Sequence, residues 1–270
     1  MYIQQNPAVT KALKQIEEFK KRTSHAGRFY SIPRAQVADG LAERVKDPSK
    51  INQGAAQLCG PAALLYSVAQ DSPEAYTQFG IDLFEKGEGR LKELVVTPGD
   101  DLLRAVPKNG SIDMADWVTL ASLRDSENWF GFSYSDTNQA AAGITWPNEF
   151  EKWFTKIGYT KVINKASKWS TQNRLNAEEA SRLYDDDDYH VVLLLNHKLL
   201  TQRGHRTYEH SVATPPTHYV VLRSKIQFAP TVKFDVYTWG QRRVQVPHLG
   251  EAMTVDEFLG NYFGFVACKH

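Results

Sequence analysis

Apolar residues Val9, Leu13, Ile16 and Phe19 recur at intervals of three to four behind Asn6 and Pro7, a spacing that puts one apolar stripe on a helix over about 8–21. The same period predicts helices at about 34–46, 73–86, 100–106, 113–124 and 147–157. Between the second and third of these, INQGAAQLCGPAALLYSVAQ passes from a glycine-bearing loop into a helix whose first turn carries Cys59, Gly60 and Pro61. Further along, the pattern shortens. HVVLLLNH (190–197), THYVVLRS (217–224), KFDVYTWG (233–240), RRVQV (242–246) and GFVAC (264–268) are β-branched and aromatic runs parted by turn residues, and they predict strands of one mostly antiparallel sheet. Helices near 176–184 and 254–262 sit among them. With neither an internal repeat nor a low-complexity linker, the expectation is one α+β domain over 1–270, a helical lobe (about 1–160) packed on a sheet lobe (about 161–270).

Composition narrows the possible partners. The 270 residues are 42% hydrophobic, enough for one sizeable core, and 32 basic against 31 acidic side chains leave a formal charge of +1. Overall charge therefore favours neither a nucleic acid nor an anionic membrane as partner. The longest strongly apolar run, Val191 to Leu195, is too short to span a bilayer, and the N-terminus lacks the apolar stretch of a signal peptide. The expectation is a soluble chain that, if exported, leaves without a classical signal. Two cysteines, Cys59 and Cys268, are too few for a disulfide scaffold and fit a reducing compartment.

Cys59 stands where a thiol gains reactivity, since the unpaired N–H groups and dipole of a helix N-terminus stabilise a thiolate. Gly60 gives room for a substrate backbone to approach. Gln53 and Gly54 precede the cysteine by six and five positions, so an amide on the loop feeding the helix can point where the Cys59 N–H points, as a two-donor oxyanion hole requires. A base must come from elsewhere in the chain. Of the five histidines in 190–218, His218 opens the strand HYVVL after Pro215, Pro216 and Thr217, which puts its imidazole at a strand end. The following return ends in Thr238, Trp239 and Gly240, and Asp235 lies on that strand as a candidate orienter of the ring, with Asn196 at the end of the preceding strand as its substitute.

QGAAQLCGPAALLY resembles the nucleophile segment of papain-like cysteine proteases, in which an oxyanion-hole glutamine precedes the cysteine by the same interval. LCGPAA followed by the P-x-x-Y of Pro73 to Tyr76 is similar, more narrowly, to papain-like toxin domains that bacteria inject into rivals or hosts. T-W-G resembles the family's serine-tryptophan-glycine signature, with Tyr237 in the asparagine position, Gly60 where a bulky aromatic is usual and Ala56 in place of a disulfide cysteine. The resemblance implies a papain-like fold and a cysteine endopeptidase with Cys59 as nucleophile, Gln53 in the oxyanion hole, His218 as base, Asp235 as orienter and Trp239 shielding that last contact. It also implies no cofactor or metal, a protein substrate, delivery by a specialised secretion system into a target-cell cytoplasm, and an immunity protein in the producer.

Other readings use the same residues. A deamidase or a peptidoglycan amidase would need the same Cys-His pair, and an inactive relative would be a binding module. Zinc chemistry would draw on His190, His197, His205, His210 and His218, although neither H-E-x-x-H nor C-x-x-C occurs. The run Asp185 to Asp188 lacks the alternating ligands of a calcium loop and reads as a solvated helix end. Of the aromatics Trp117, Trp129, Phe130, Phe132, Tyr134 and Trp146, most are expected to pack in the core, and Cys268 is expected to be structural.

Overall fold

The structure, a computed structural model, describes residues 6–23, 27–108, 110–127, 145–168, 173–186, 188–200 and 218–270. It is α+β, with helices in the N-terminal part and a six-stranded antiparallel sheet in the C-terminal part, and the chain divides into two units, Met1–Thr145 and Trp146–His270.

In the first unit the periodic stripes become packed faces. Helix α1 (Pro7–Lys21) is capped by the Asn6 side chain, which accepts from the Ala8 N–H, and buries Ala12, Ile16 and Phe19. Helix α2 (Arg34–Lys46) buries Val37, Ala38, Leu41 and Val45. Helix α3 (Cys59–Asp71) is buried without a break from Gly60 to Ala69 and is apolar nearly all round, as a helix inside a bundle must be. Helix α4 (Pro73–Lys86) ends on Gly87, whose left-handed φ of 70° a side chain would strain. Strands β1 (Gly89–Leu91) and β2 (Leu94–Val96) then form a hairpin, followed by α5 (Asp100–Arg104) and α6 (Met114–Asp116), which runs through a π-helical stretch, Trp117–Ala121, into α7 (Ser122–Ser126). Sequence periodicity does not foresee the hairpin, because three-residue strands are too short to show alternation.

Inside this unit lies a buried ion pair. The Arg44 guanidinium of α2 grips Asp116 of α6 through two bonds, Nε to Oδ1 at 2.7 Å and Nη2 to Oδ2 at 2.6 Å. Arg44 also donates to the Gly40 carbonyl, and Asp116 Oδ2 accepts the Asn52 N–H at 2.9 Å. Removal from water raises the Asp116 carboxyl, and Arg44 with the Asn52 N–H opposes that rise. Tyr76, the tyrosine of the P-x-x-Y segment, is fully buried in α4 and feels both charges, which makes it part of this core. The pair thus fixes the start of the loop that leads into α3. The same loop is held by Ala55 N–H on the Ser111 carbonyl, and at Gly54 (φ 58°) an added Cβ would lie 1.9 Å from the Ser111 oxygen.

The second unit is built on a sheet of order β3-β8-β4-β5-β6-β7, every neighbour antiparallel, from β3 (Thr160–Asn164), β4 (Tyr189–Leu195), β5 (His218–Leu222), β6 (Phe234–Thr238), β7 (Gln241–Val246) and β8 (Tyr262–Lys269). Helices α9 (Arg174–Asp185) and α10 (Val255–Gly260) share a core with it, in which Ala177, Ala180 and Phe258 meet Leu193, Val220, Val236 and Phe265. Helix α8 (Pro147–Ile157) packs on β3 and β8, and its Phe150 stacks on Tyr219 with centroids 4.8 Å apart. The sequence reading puts α8 in a helical lobe ending near 160. The unit boundary falls before it, because its apolar stripe of Phe150, Trp153 and Phe154 serves the sheet. Strand β3 was not expected either: it is an exposed edge with a bulge and Lys161 at φ 46°, which erases the alternation. Asp185 pairs with Lys225, and Asp186 and Asp188 pair with Lys269, while Asp187 lies outside the described residues. Among the described residues no helix is long and apolar enough to cross a membrane.

The buried pair yields a test. Asp116→Ala leaves the buried Arg44 only the half-exposed Asp113 carboxylate, 3.3 Å from Nη2, and is expected to cost about 3 kcal/mol in urea unfolding of the full chain, whereas Arg44→Met with Asp116→Leu is expected to recover at least half of that loss.

Candidate active site

Helix α3 begins without a side-chain cap, because Leu58 occupies the cap position and has nothing to offer. Its first backbone bond runs from Ala62 N–H to the Leu58 carbonyl, and Pro61 has no N–H, so the amides of Cys59 and Gly60 are the donors of this helix end. The Cys59 side chain is half-buried there, while Cys268 is fully buried in β8 opposite His190. Gln53 is buried, and its Nε2 donates to the Ala56 carbonyl at 2.6 Å while the Ala56 N–H returns to the Gln53 carbonyl. The amide therefore closes its own loop with one N–H, and an oxyanion contact would fall to the other hydrogen on the same nitrogen. Gly60 was expected to admit a substrate backbone. In its unit the Thr145 side chain makes the close approach, with Oγ1 2.5 Å from where a Cβ would stand, so the glycine is explained by packing.

The second unit holds the imidazole. His218 is the first residue of β5, only 4% exposed, and pairs in register with Leu195. Its Nε2 lies 2.6 Å from the hydroxyl of Thr238, and its ring stacks beneath Trp239 with centroids 4.7 Å apart at 26°. Trp239 and Gly240 form the two-residue reversal between Thr238 and Gln241, at φ 47° and 71°. Such a turn favours asparagine followed by glycine, and a bulky residue held at positive φ costs about 1–3 kcal/mol. The stack over His218 is what this placement gains.

Asp235, the expected orienter, does not meet the ring. It alternates along β6 with Phe234 and Val236, whose side chains enter the core, so its own turns the other way, where the carboxylate stands 3.9 Å from Arg243. The substitute, Asn196, caps the following turn by accepting the Lys198 N–H, and its buried Nδ2 has no hydrogen bond among the described residues. Thr238 is the partner that sequence reasoning passed over, although T-W-G had brought it into view. Burial pushes the His218 imidazole down to about 3, with the nearby His197 charge contributing, so the ring is neutral at neutral pH.

Of the other candidate residues, His190 meets the edge of Tyr159 and His197 opens the turn His197–Leu200, while His205, His210, Trp129, Phe130, Phe132 and Tyr134 lie outside the described residues. Among the described residues no three His, Cys, Asp or Glu side chains converge as a metal site needs. Trp117 is fully buried, and Trp146 is exposed beneath the Lys168 ammonium. Comparison with protein-family models, curated proteins and solved structures finds no match.

The lowered His218 value has a consequence for stability. The unfolded ring takes up a proton near 6.5 and the folded ring only near 3, so stability falls as the pH drops from 6.5 toward 3 and is fully present above that window. Between pH 6.5 and 4.5 the wild type is expected to lose about 2 kcal/mol more than His218→Gln in urea titrations at the two pH values.

Proposed function

We propose that the chain is a papain-like cysteine endopeptidase whose nucleophile is the Cys59 thiol and whose base is His218. One observation carries this reading: a buried neutral imidazole is anchored through Nε2 and roofed by a tryptophan that the hairpin holds in a costly backbone conformation. A histidine needed only for packing gives no reason for that cost. The half-buried cysteine at an uncapped helix start supports the same reading from the other unit.

A neutral ring is the state from which a general base starts. Nδ1 takes the thiol proton as sulfur attacks the substrate carbonyl, and the negative charge building on sulfur supplies the ring with basicity that burial alone withholds. The Cys59 N–H and the second N–H of Gln53 receive the oxyanion. The imidazolium then protonates the leaving amine as the C–N bond breaks, leaving a thioester. Water attacks the thioester as Nδ1 takes its proton, the carboxylic acid departs, and sulfur recovers its hydrogen from the ring. The protein groups in every step belong to this chain, and water is the co-reactant. The narrower resemblance to injected toxin domains supports action in a target-cell cytoplasm and neutralisation by an immunity protein of the producer.

Expression of wild type and Cys59→Ala in the same cells, followed by mapping of protein N-termini, tests this. New N-termini are expected with the wild type alone, and the variant is expected to keep its stability within about 1 kcal/mol. Identical N-termini in both samples would remove the endopeptidase reading, and a mass change in a target without cleavage would replace it with deamidation.

A further inference from the structure

We infer that Thr238 is the positioning residue of His218: its hydroxyl accepts the Nε2 hydrogen, fixes the ring in the Nε2–H tautomer and leaves the Nδ1 lone pair to meet a thiol. This rests on the proposed role of His218 as base.

Thr238 sits on the strand next to the one that His218 opens, and the 2.6 Å contact is the ring's hydrogen bond among the described residues. Both side chains are buried, at 3% and 4% exposure, so water does not compete for the bond. A β-branched side chain in a strand has few χ1 choices, and threonine therefore holds its hydroxyl in place without help. Trp239 follows directly, and its indole covers the ring that Thr238 holds. The two carboxylate and amide alternatives are engaged elsewhere, Asp235 with Arg243 and Asn196 Oδ1 with the Lys198 N–H.

A hydroxyl differs chemically from the carboxylate expected from the sequence. It orients the ring but brings no negative charge, so it does not stabilise imidazolium in the resting state. The low position of the His218 titration agrees with a neutral partner in an apolar surround. When Nδ1 gains the thiol proton, the Nε2–H bond to Thr238 remains and no second proton moves. This arrangement ties proton uptake to the attack itself.

The test uses the full chain and long-range proton–nitrogen spectra of the His218 ring at neutral pH. The wild type is expected to show the Nε2–H tautomer. Thr238→Val, which keeps shape and removes the hydroxyl, is expected to mix the tautomers and slow iodoacetamide alkylation of Cys59 by about tenfold, and Thr238→Ser is expected to restore both. An Nδ1–H ring in the wild type would overturn the inference, as would a tautomer unchanged by Thr238→Val or one displaced by Asp235→Asn instead. Should Thr238→Val not fold, the wild-type and Thr238→Ser spectra decide. The reading of Cys59 and His218 as a catalytic pair fails separately: the tautomers come out as expected, yet His218→Gln leaves Cys59 alkylation unchanged.

Discussion

The Arg44–Asp116 pair fixes how the chain enters its most buried helix. Two charges taken out of water in a protein interior are tolerable only when their bonds are saturated, and here the guanidinium holds both carboxylate oxygens and a helix carbonyl, while the carboxylate also takes the Asn52 N–H. That last bond matters most for the candidate site. It fixes the backbone one residue before Gln53, so the turn closed by the Gln53 amide and the start of α3 at Cys59 follow from a stationary point. An apolar pair of equal volume would pack, but it would offer no acceptor to Asn52.

The second unit handles a similar demand with different means. Among the described residues no charged side chain bonds to His218. A hydroxyl from the neighbouring strand and an indole from the adjoining turn confine it, and the turn accepts a residue poorly suited to its backbone to provide that indole. Strain placed next to a buried titratable group points to function more strongly than either feature alone. Burial, with the nearby His197 charge contributing, keeps the ring uncharged at neutral pH.

Much of the fold was legible in the sequence because periodicity reports burial directly. The stripes of α1 and α4 and the β-branched runs of β4, β5 and β8 are each local, and each stands close to where its pattern put it, whereas Trp239 and Gly240, read as the end of a strand, form the turn after β6. What escaped was not local. The Arg44–Asp116 pair joins residues 72 positions apart, and nothing in the spacing of either announces the other. The allotment of α8 to the sheet depends on which surface its aromatic stripe covers, and period alone does not tell. The hydrogen-bond partner of His218 escaped for a related reason: Asp235 has the suitable chemistry, but strand alternation turns it toward Arg243, and the residue that reaches the ring is a threonine. The resemblance to papain-like enzymes drew attention to Cys59, His218 and Trp239, while their local geometry supplied the physical reasons to pursue them.

In the proposed site, an imidazole kept neutral and fixed activates a cysteine at an uncapped helix start. This can be read from the rate at which iodoacetamide alkylates Cys59 between pH 5 and 9, in the wild type and in His218→Gln. Near neutral pH Cys59 is expected to react about tenfold faster in the wild type than in the variant. Superimposable profiles in the two proteins would contradict it.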